Sequence, residues 1–340
     1  MSIVLAPIDR SAVLASLIAV SACAGSAPSS QTAPVPAVLP SGLVCSGGDA
    51  DVVVSFPDEG LERAIRAALQ PASADALTCD VLGRVTRLHA PDAGIEDLTG
   101  IQNLVRLGEL HIYGNNRIRD VTPLAGLPAL TDLNLARNAI EDIGPLARVR
   151  TLTSLDLLGN PIRDFTPIGE LTGLIRLRLG PGVTDLSALR SLTRLGRLEL
   201  AHNDVTDLAP LAPLTSLTRL SLSDNPHLRD LSPLTSLVNL EVLELGGTAV
   251  GDLTHVGELP RITSLSLDGT RIFDLGPLLA LAGLTRLDLR GNMQLTDIQP
   301  LLFHPTLGEG DGVRLEGTGV SCTDVAALQV RGVTVFTTCR

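Results

Sequence analysis

Lysine is missing altogether: all 26 basic residues are arginine. Schiff-base chemistry and a phosphate-loop lysine are therefore closed to this chain. Tryptophan is missing too, tyrosine occurs once, at Tyr113, and aromatic residues make up 2% of a sequence that is 44% hydrophobic. Whatever core forms is aliphatic, and an interface resting on several aromatic anchors is disfavoured. Positive charge is in deficit, 26 Arg against 37 acidic residues for a formal net charge of -11. The positive footprint that phosphate recognition requires is thus lacking, and nucleic acid is not an expected partner. No G-x-S-x-G, H-E-x-x-H, C-x-x-C or phosphate-cradling glycine loop occurs, so neither an enzyme nor a cofactor is expected.

What is present in excess is leucine, at 64 of 340 residues. Leucine is the commonest residue in ordinary proteins, but nearly one in five points to a repeat. Before the repeat comes an export signal. Residues 11–20, SAVLASLIAV, form an uncharged apolar run after Arg10, too short to span a bilayer and suited to the apolar region of a signal peptide. The run leads into Val20-Ser21-Ala22-Cys23, which resembles the bacterial lipobox, where a small residue precedes a cysteine that is lipidated and becomes the mature N-terminus. The alternative is ordinary secretion after cleavage at a small-residue site. Ala24 rather than Asp follows Cys23, which in a two-membrane bacterium implies the outer membrane. Residues 24–42 are Ala-, Ser- and Pro-rich without charge or periodicity and read as an extended tether.

From about residue 85 to 301 one phrase recurs, clearest in LPALTDLNLARNAIEDIGPLARV at residues 127–149. Its most regular mark is an aspartate, at Asp97, Asp120, Asp142, Asp164, Asp185, Asp207, Asp230, Asp252, Asp274 and Asp297, with spacings of 21 to 23. A fixed period near 22 with an L-x-x-L-x-L-x-x-N consensus is that of a leucine-rich repeat. The phrase resembles the 22-residue repeats of the internalin family. FPDEGLERAIRAALQ at residues 56–70 is similar to that family's helical N-terminal cap. The expected fold is an α/β, right-handed leucine-rich repeat solenoid with a parallel concave sheet, short convex helical turns and a helical cap at each end. The expected organisation is signal peptide 1–22, lipidated Cys23 and tether 23–44, N-terminal cap 45–84, about ten repeats in 85–302 and C-terminal cap 303–340.

Within each repeat, L-x-L makes a short strand with two leucines inward and one residue outward. No single coil buries its apolar side alone, so stacking closes the core. The asparagine after the strand, at Asn115, Asn138, Asn160, Asn203, Asn225 and Asn292, has donors and acceptors for loop amides that lack partners. The aspartate is placed to cap a convex turn with proline in its first turn. The coil at residues 180–183 lacks its asparagine through a one-residue deletion and is expected to be irregular. Five cysteines are an odd number, but lipidation of Cys23 leaves Cys45, Cys79, Cys322 and Cys339. If the repeats form a long rod, only Cys45–Cys79 and Cys322–Cys339 bring Cα atoms within disulfide range.

Aligning the outward strand positions across coils assembles groups that are far apart in the chain. Arg176, Arg197 and Arg219 share one position in consecutive coils, with Arg178 beside Arg176. Together with Tyr113 they form the candidate partner-binding surface, since arginine forks onto carboxylates. The competing reading is a solvated face on which Asp156 and Glu199 neutralise the arginines. His89 and His111, with Glu109 and Asp132 adjacent, carry metal-ligand types, but such pairs are more often ordinary surface residues, and no metal site is assigned. The reading is a monomeric, non-catalytic cell-envelope lipoprotein that binds a protein ligand of unknown identity through its concave face and touches the membrane only through its lipid. A glycan or small-ligand receptor, or a structural envelope protein without specific ligand, is the alternative.

Overall fold

Leucines two residues apart, repeated every 22 or so residues, leave the chain one way to bury them. In the computed structural model, which describes residues 44–45, 50–69 and 76–339, that way is a single parallel sheet. The chain divides into Met1–Val35 and Pro36–Arg340, and the described residues lie in the second unit. The readings made on the signal peptide, on Cys23 and on nearly all of the tether fall outside them.

Twelve three-residue strands follow one another in chain order. They are β1 Arg87–His89, β2 Glu109–His111, β3 Asp132–Asn134, β4 Ser154–Asp156, β5 Arg176–Arg178 and β6 Arg197–Glu199. The second half comprises β7 Arg219–Ser221, β8 Val242–Glu244, β9 Ser264–Ser266, β10 Arg286–Asp288, β11 Gly312–Arg314 and β12 Thr334–Phe336. Every central residue is apolar and in register with the next, Leu88 on Leu110 through Leu287 on Val313. From Leu88 to Val313 these central residues are at most 2% exposed, so truncating one, as in Leu133→Ala, costs about 2 to 5 kcal/mol.

The sheet outruns the expected repeats by two strands. β11 and β12 fall in the segment assigned to the C-terminal cap. From Arg286 to Gly312 is 26 residues, longer than the regular period, and the segment lacks the aspartate mark, so the phrase disappears while the strand pairing continues. The convex connections are mostly single 3-10 turns, such as Gly144–Arg148 and Thr166–Glu170, with proline in the first turn. Each of these two turns is five residues long, the short piece in which 3-10 helix is used.

All ten aspartates bond alike. Each accepts the backbone N–H two residues on, as Asp142 does from Gly144 at 2.7 Å and Asp230 from Ser232 at 2.8 Å. Capping is thus their role, but one position earlier than expected: the residue at the cap itself is apolar, Ile143 or Leu231, and at most 2% exposed. That side chain fills the core while the carboxylate reaches past it to the turn, an Asx turn in geometry.

The asparagines form the second ladder. Asn225 accepts from Val205 N at 2.9 Å in the preceding coil and donates to Leu200 O and Leu222 O. Asn115, Asn160 and Asn203 repeat the pattern. Thr248 and Thr270, standing in for asparagine, keep only the bond to their own strand's carbonyl and, for Thr270, a link to Asn292. The coil at residues 180–183 is irregular as expected, with a cis Gly180–Pro181 bond.

Both ends are closed by side chains the repeat does not contain. The helix Glu59–Leu69 buries Leu61 and Ile65 completely. Asp58 caps it through Leu61 N at 2.8 Å and with its other oxygen takes Glu96 N and Asp97 N from the first coil. Burial raises this carboxyl's pKa, but the four backbone N–H groups around it more than reverse that and hold it below the ordinary range. At the far end the helix Cys322–Val330 starts at Ser321, which accepts from Asp324 N. Disulfides join Cys45 to Cys79 and Cys322 to Cys339, the pairing that a rod permits. In the chain-entropy model each adds about 3 to 4 kcal/mol.

Candidate functional site

Each strand presents its first and third residues to the concave face, so register decides which side chains meet. Arg176 pairs with Arg197 and Arg197 with Arg219 across β5, β6 and β7, while Arg178 lies opposite Glu199. The four arginines are therefore brought together as the row alignment implies. Their charges, however, are interleaved with carboxylates rather than crowded.

Arg178 donates to Asp156 Oδ2 at 2.9 Å and also to Glu199. Arg197 meets the other Glu199 oxygen at 3.4 Å, and Arg176 reaches back to Asp132 at 3.3 Å. Among the described residues Arg219 has no carboxylate within ion-pair distance. Asp132, Asp156 and Glu199 pair with three of the four arginines and leave Arg219, at the β7 edge, as the cation without an ion pair among the described residues. A groove of about 490 Å³ runs along this face from His111 to Glu199, and a small pocket of about 50 Å³ continues between Arg197, Arg219 and Glu244.

Asp156 is the strained member of the set. It is 7% exposed, and burial raises its pKa although Leu158 N–H and Arg178 pull it down, with Glu199 adding to the rise. For a carboxyl so raised, the charged form is disfavoured by folding, so acidification protonates it early and loosens its hold on Arg178.

Tyr113 does not join this cluster. It is 38% exposed, but it follows β2, three strands before β5, which at sheet spacing is roughly 14 Å away. It belongs instead with His111, two residues earlier on the same side of the chain. There the sequence reasoning left a group unassigned. His89 and His111 lie opposite each other, and both approach Glu109, which is 2.7 Å from His89 and 3.6 Å from His111. Sequence reasoning also missed Arg331, whose guanidinium donates to the carbonyls of Leu301, Leu302, His304 and Leu307. Nothing in the linear pattern marks one arginine after a helix as the closing group of a stack.

Comparison with known proteins places this geometry. A family model described as leucine-rich repeats (2 copies) matches residues 215–258. The crystal structure of an internalin, InlF, from Listeria monocytogenes superposes with a TM-score of 0.73 at 31% identity, covering 84% of this chain and 91% of that one. The chain belongs to the internalin family. Internalin C2 of the same species, at 34% identity and a TM-score of 0.60, covers 62% of this internalin-family chain and 94% of its own. The functional domain of InlJ, also from that species, is 21% identical with a TM-score of 0.52 over 78% of this chain and shares the fold. No curated protein matches the sequence. Leucine-rich repeat solenoids present an extended concave face as a binding surface, and no helix among the described residues is long and apolar enough to cross a membrane.

Proposed function

We propose that this internalin-family chain is a non-catalytic binding module of the bacterial cell envelope, tethered through a lipid on Cys23 and holding a protein ligand on the concave face around Arg176, Arg178, Arg197 and Arg219. One observation carries the reading: among the described residues Arg219 stands without a carboxylate partner beside Arg197, whose one ion pair there is long and shared. A ligand carboxylate would meet that edge with charge-assisted hydrogen bonds that no described residue supplies. The paired arginines deeper in the groove then set specificity, since a ligand must match alternating signs along it. Tyr113 extends the surface toward β1. The anchor, the outer membrane of a two-membrane bacterium as its address and a monomeric state belong to the same proposal and rest on the sequence before residue 44 and on the closed ends of the sheet.

Capture of envelope proteins by crosslinking and pull-down tests the surface. Arg197→Glu with Arg219→Glu is expected to leave the thermal midpoint nearly unchanged, because exposed ion pairs contribute at most about 1 kcal/mol, and to abolish capture. Unchanged capture with unchanged salt dependence would place the binding surface elsewhere.

A further inference from the structure

At the β1–β2 end of the concave face, two histidines and a carboxylate converge outside the arginine patch. Parallel pairing sets His89 opposite His111, and their imidazoles stack with centroids 4.5 Å apart and planes within 5°. Stacked in this way, both rings direct Nε2 toward one atom, Glu109 Oε1, at 2.7 and 3.6 Å. One donor atom from each of the three residues lies within 4.8 Å of the other two.

We propose that His89, His111 and Glu109 bind a divalent transition-metal ion of the zinc class. The sequence alone gave no reason to prefer a metal over ordinary surface histidines, and convergence of both Nε2 atoms on one carboxylate oxygen is what changes the balance. Two imidazole nitrogens with one carboxylate oxygen are a donor set that zinc accepts, as do copper and nickel. Bonds near 2.0–2.1 Å put tetrahedral donors roughly 3.3 Å apart, so half-exposed side chains need only small rotations while the sheet holds the backbone in register. An ion placed among the three donors takes the place of the direct imidazole–carboxylate contact, and its charge is partly neutralised by Glu109. Asp132 stands behind the site. Its Oδ1 is 3.3 Å from His111 Nε2 while Oδ2 holds Arg176 at 3.3 Å, so an ion on that nitrogen takes the place of the Asp132 contact. Three protein donors would leave a zinc-class ion a further position for water or an external donor. This site lies on β1 and β2 and the arginine surface on β5 to β7, and Asp132 stands between them.

Calorimetric titration of the purified full-length chain with zinc chloride in a non-chelating buffer tests it. One ion per chain is expected, with proton release. His89→Ala, His111→Ala and Glu109→Gln should each weaken binding at least tenfold, whereas His202→Ala, which breaks an exposed pair with Asp224, should not. Cobalt(II) bound in place of zinc should give the visible d–d bands of a four- or five-coordinate ion, lost in the same three variants. Thermal melts in EDTA that match the parent establish that the variants fold. Absence of binding at millimolar zinc, or binding that survives His89→Ala with His111→Ala, overturns the proposal.

Discussion

Two polar ladders run the length of an aliphatic stack, and single residues in them make unequal contributions. The aspartates lie on the surface, and Asp164, Asp185, Asp230 and Asp252 are held below the ordinary carboxylate pKa by hydrogen bonds from the hydroxyl and backbone N–H of the residue two positions on. A folded pKa depressed below the unfolded value means stability that is present above the ordinary carboxylate range and lost as pH falls through the depressed values. Replacing these four by asparagine keeps the acceptor for the turn and removes the titration. The variant is expected to flatten the acid limb of an unfolding-against-pH curve below about pH 4, as read by circular dichroism; an unchanged limb would assign acid loss to other groups. The asparagines are buried and differ among themselves. Asn225 satisfies all its groups, whereas Asn138 Oδ1 has no partner. The coil before Asn138 carries an extra residue between Asn115 and Asp120, which moves the N–H that elsewhere fills that place. Asn225→Ala is therefore expected to cost about 1 kcal/mol more than Asn138→Ala in denaturant unfolding. At this scale the sequence was legible where a residue answers to the backbone: both ladders follow from spacing. The pairing of Arg178 with Asp156 and Glu199 was open, because it depends on side-chain rotamers that spacing leaves free.

The repeat unit supplies its own bonds, but the end elements need foreign ones. Asp58 ties the N-terminal helix to the first coil, and Arg331 ties the C-terminal helix to the last. Arg331 reaches carbonyls on both sides of His304, which is itself 1% exposed and donates from Nε2 to Leu278 O, 3.1 Å away. Burial lowers the His304 pKa, with the Arg331 charge adding to it, while carbonyl bonds to Leu278 and Leu281 and the charge of Asp311 oppose it. A histidine kept neutral in this way contributes stability above its ordinary value of about 6.5, and the contribution is lost as pH falls below it. The two titrations thus separate in pH and in place. On acidification the coil around His304 is expected to gain hydrogen exchange first, below about pH 6, while β3 to β8 stay protected until the aspartates titrate. Arg331→Gln should reproduce that local opening at neutral pH at a cost of about 1.5 to 3 kcal/mol. Uniform exchange along the stack in either experiment would mean that the end is not a separate unit. The helical caps were legible from their apolar stripes and the Ser321 start. β11 and β12 were not, because an element defined by pairing with its neighbour survives the loss of the phrase that announces it.

For the whole molecule, architecture and address come from different kinds of signal. Stacking makes the described chain a one-dimensional solid with a graded surface, acidic in sum, zwitterionic along the groove and positive at Arg219. The address rests on the segment before residue 44 and on cysteine arithmetic. Five cysteines minus two disulfides leave Cys23, and the disulfides Cys45–Cys79 and Cys322–Cys339 account for the other four. Cytosolic thiols are kept reduced, so two disulfides closing the two ends of the stack agree with an exported protein. On the proposed reading, the one remaining cysteine, which follows small residues, is the anchor. One acyl chain binds a bilayer only marginally, and a diacylglyceryl group supplies the second chain that stable anchoring requires. On that reading, the Ala-, Ser- and Pro-rich residues 24–42 are the tether between that lipid and the repeats. Metabolic labelling with a fatty-acid analogue is expected to mark the parent chain and not Cys23→Ser, and the variant should move from the membrane fraction to the soluble fraction with its thermal midpoint unchanged. Because Cys23 takes part in neither disulfide, a label that persists in Cys23→Ser removes the anchor from the proposal while leaving the binding face intact.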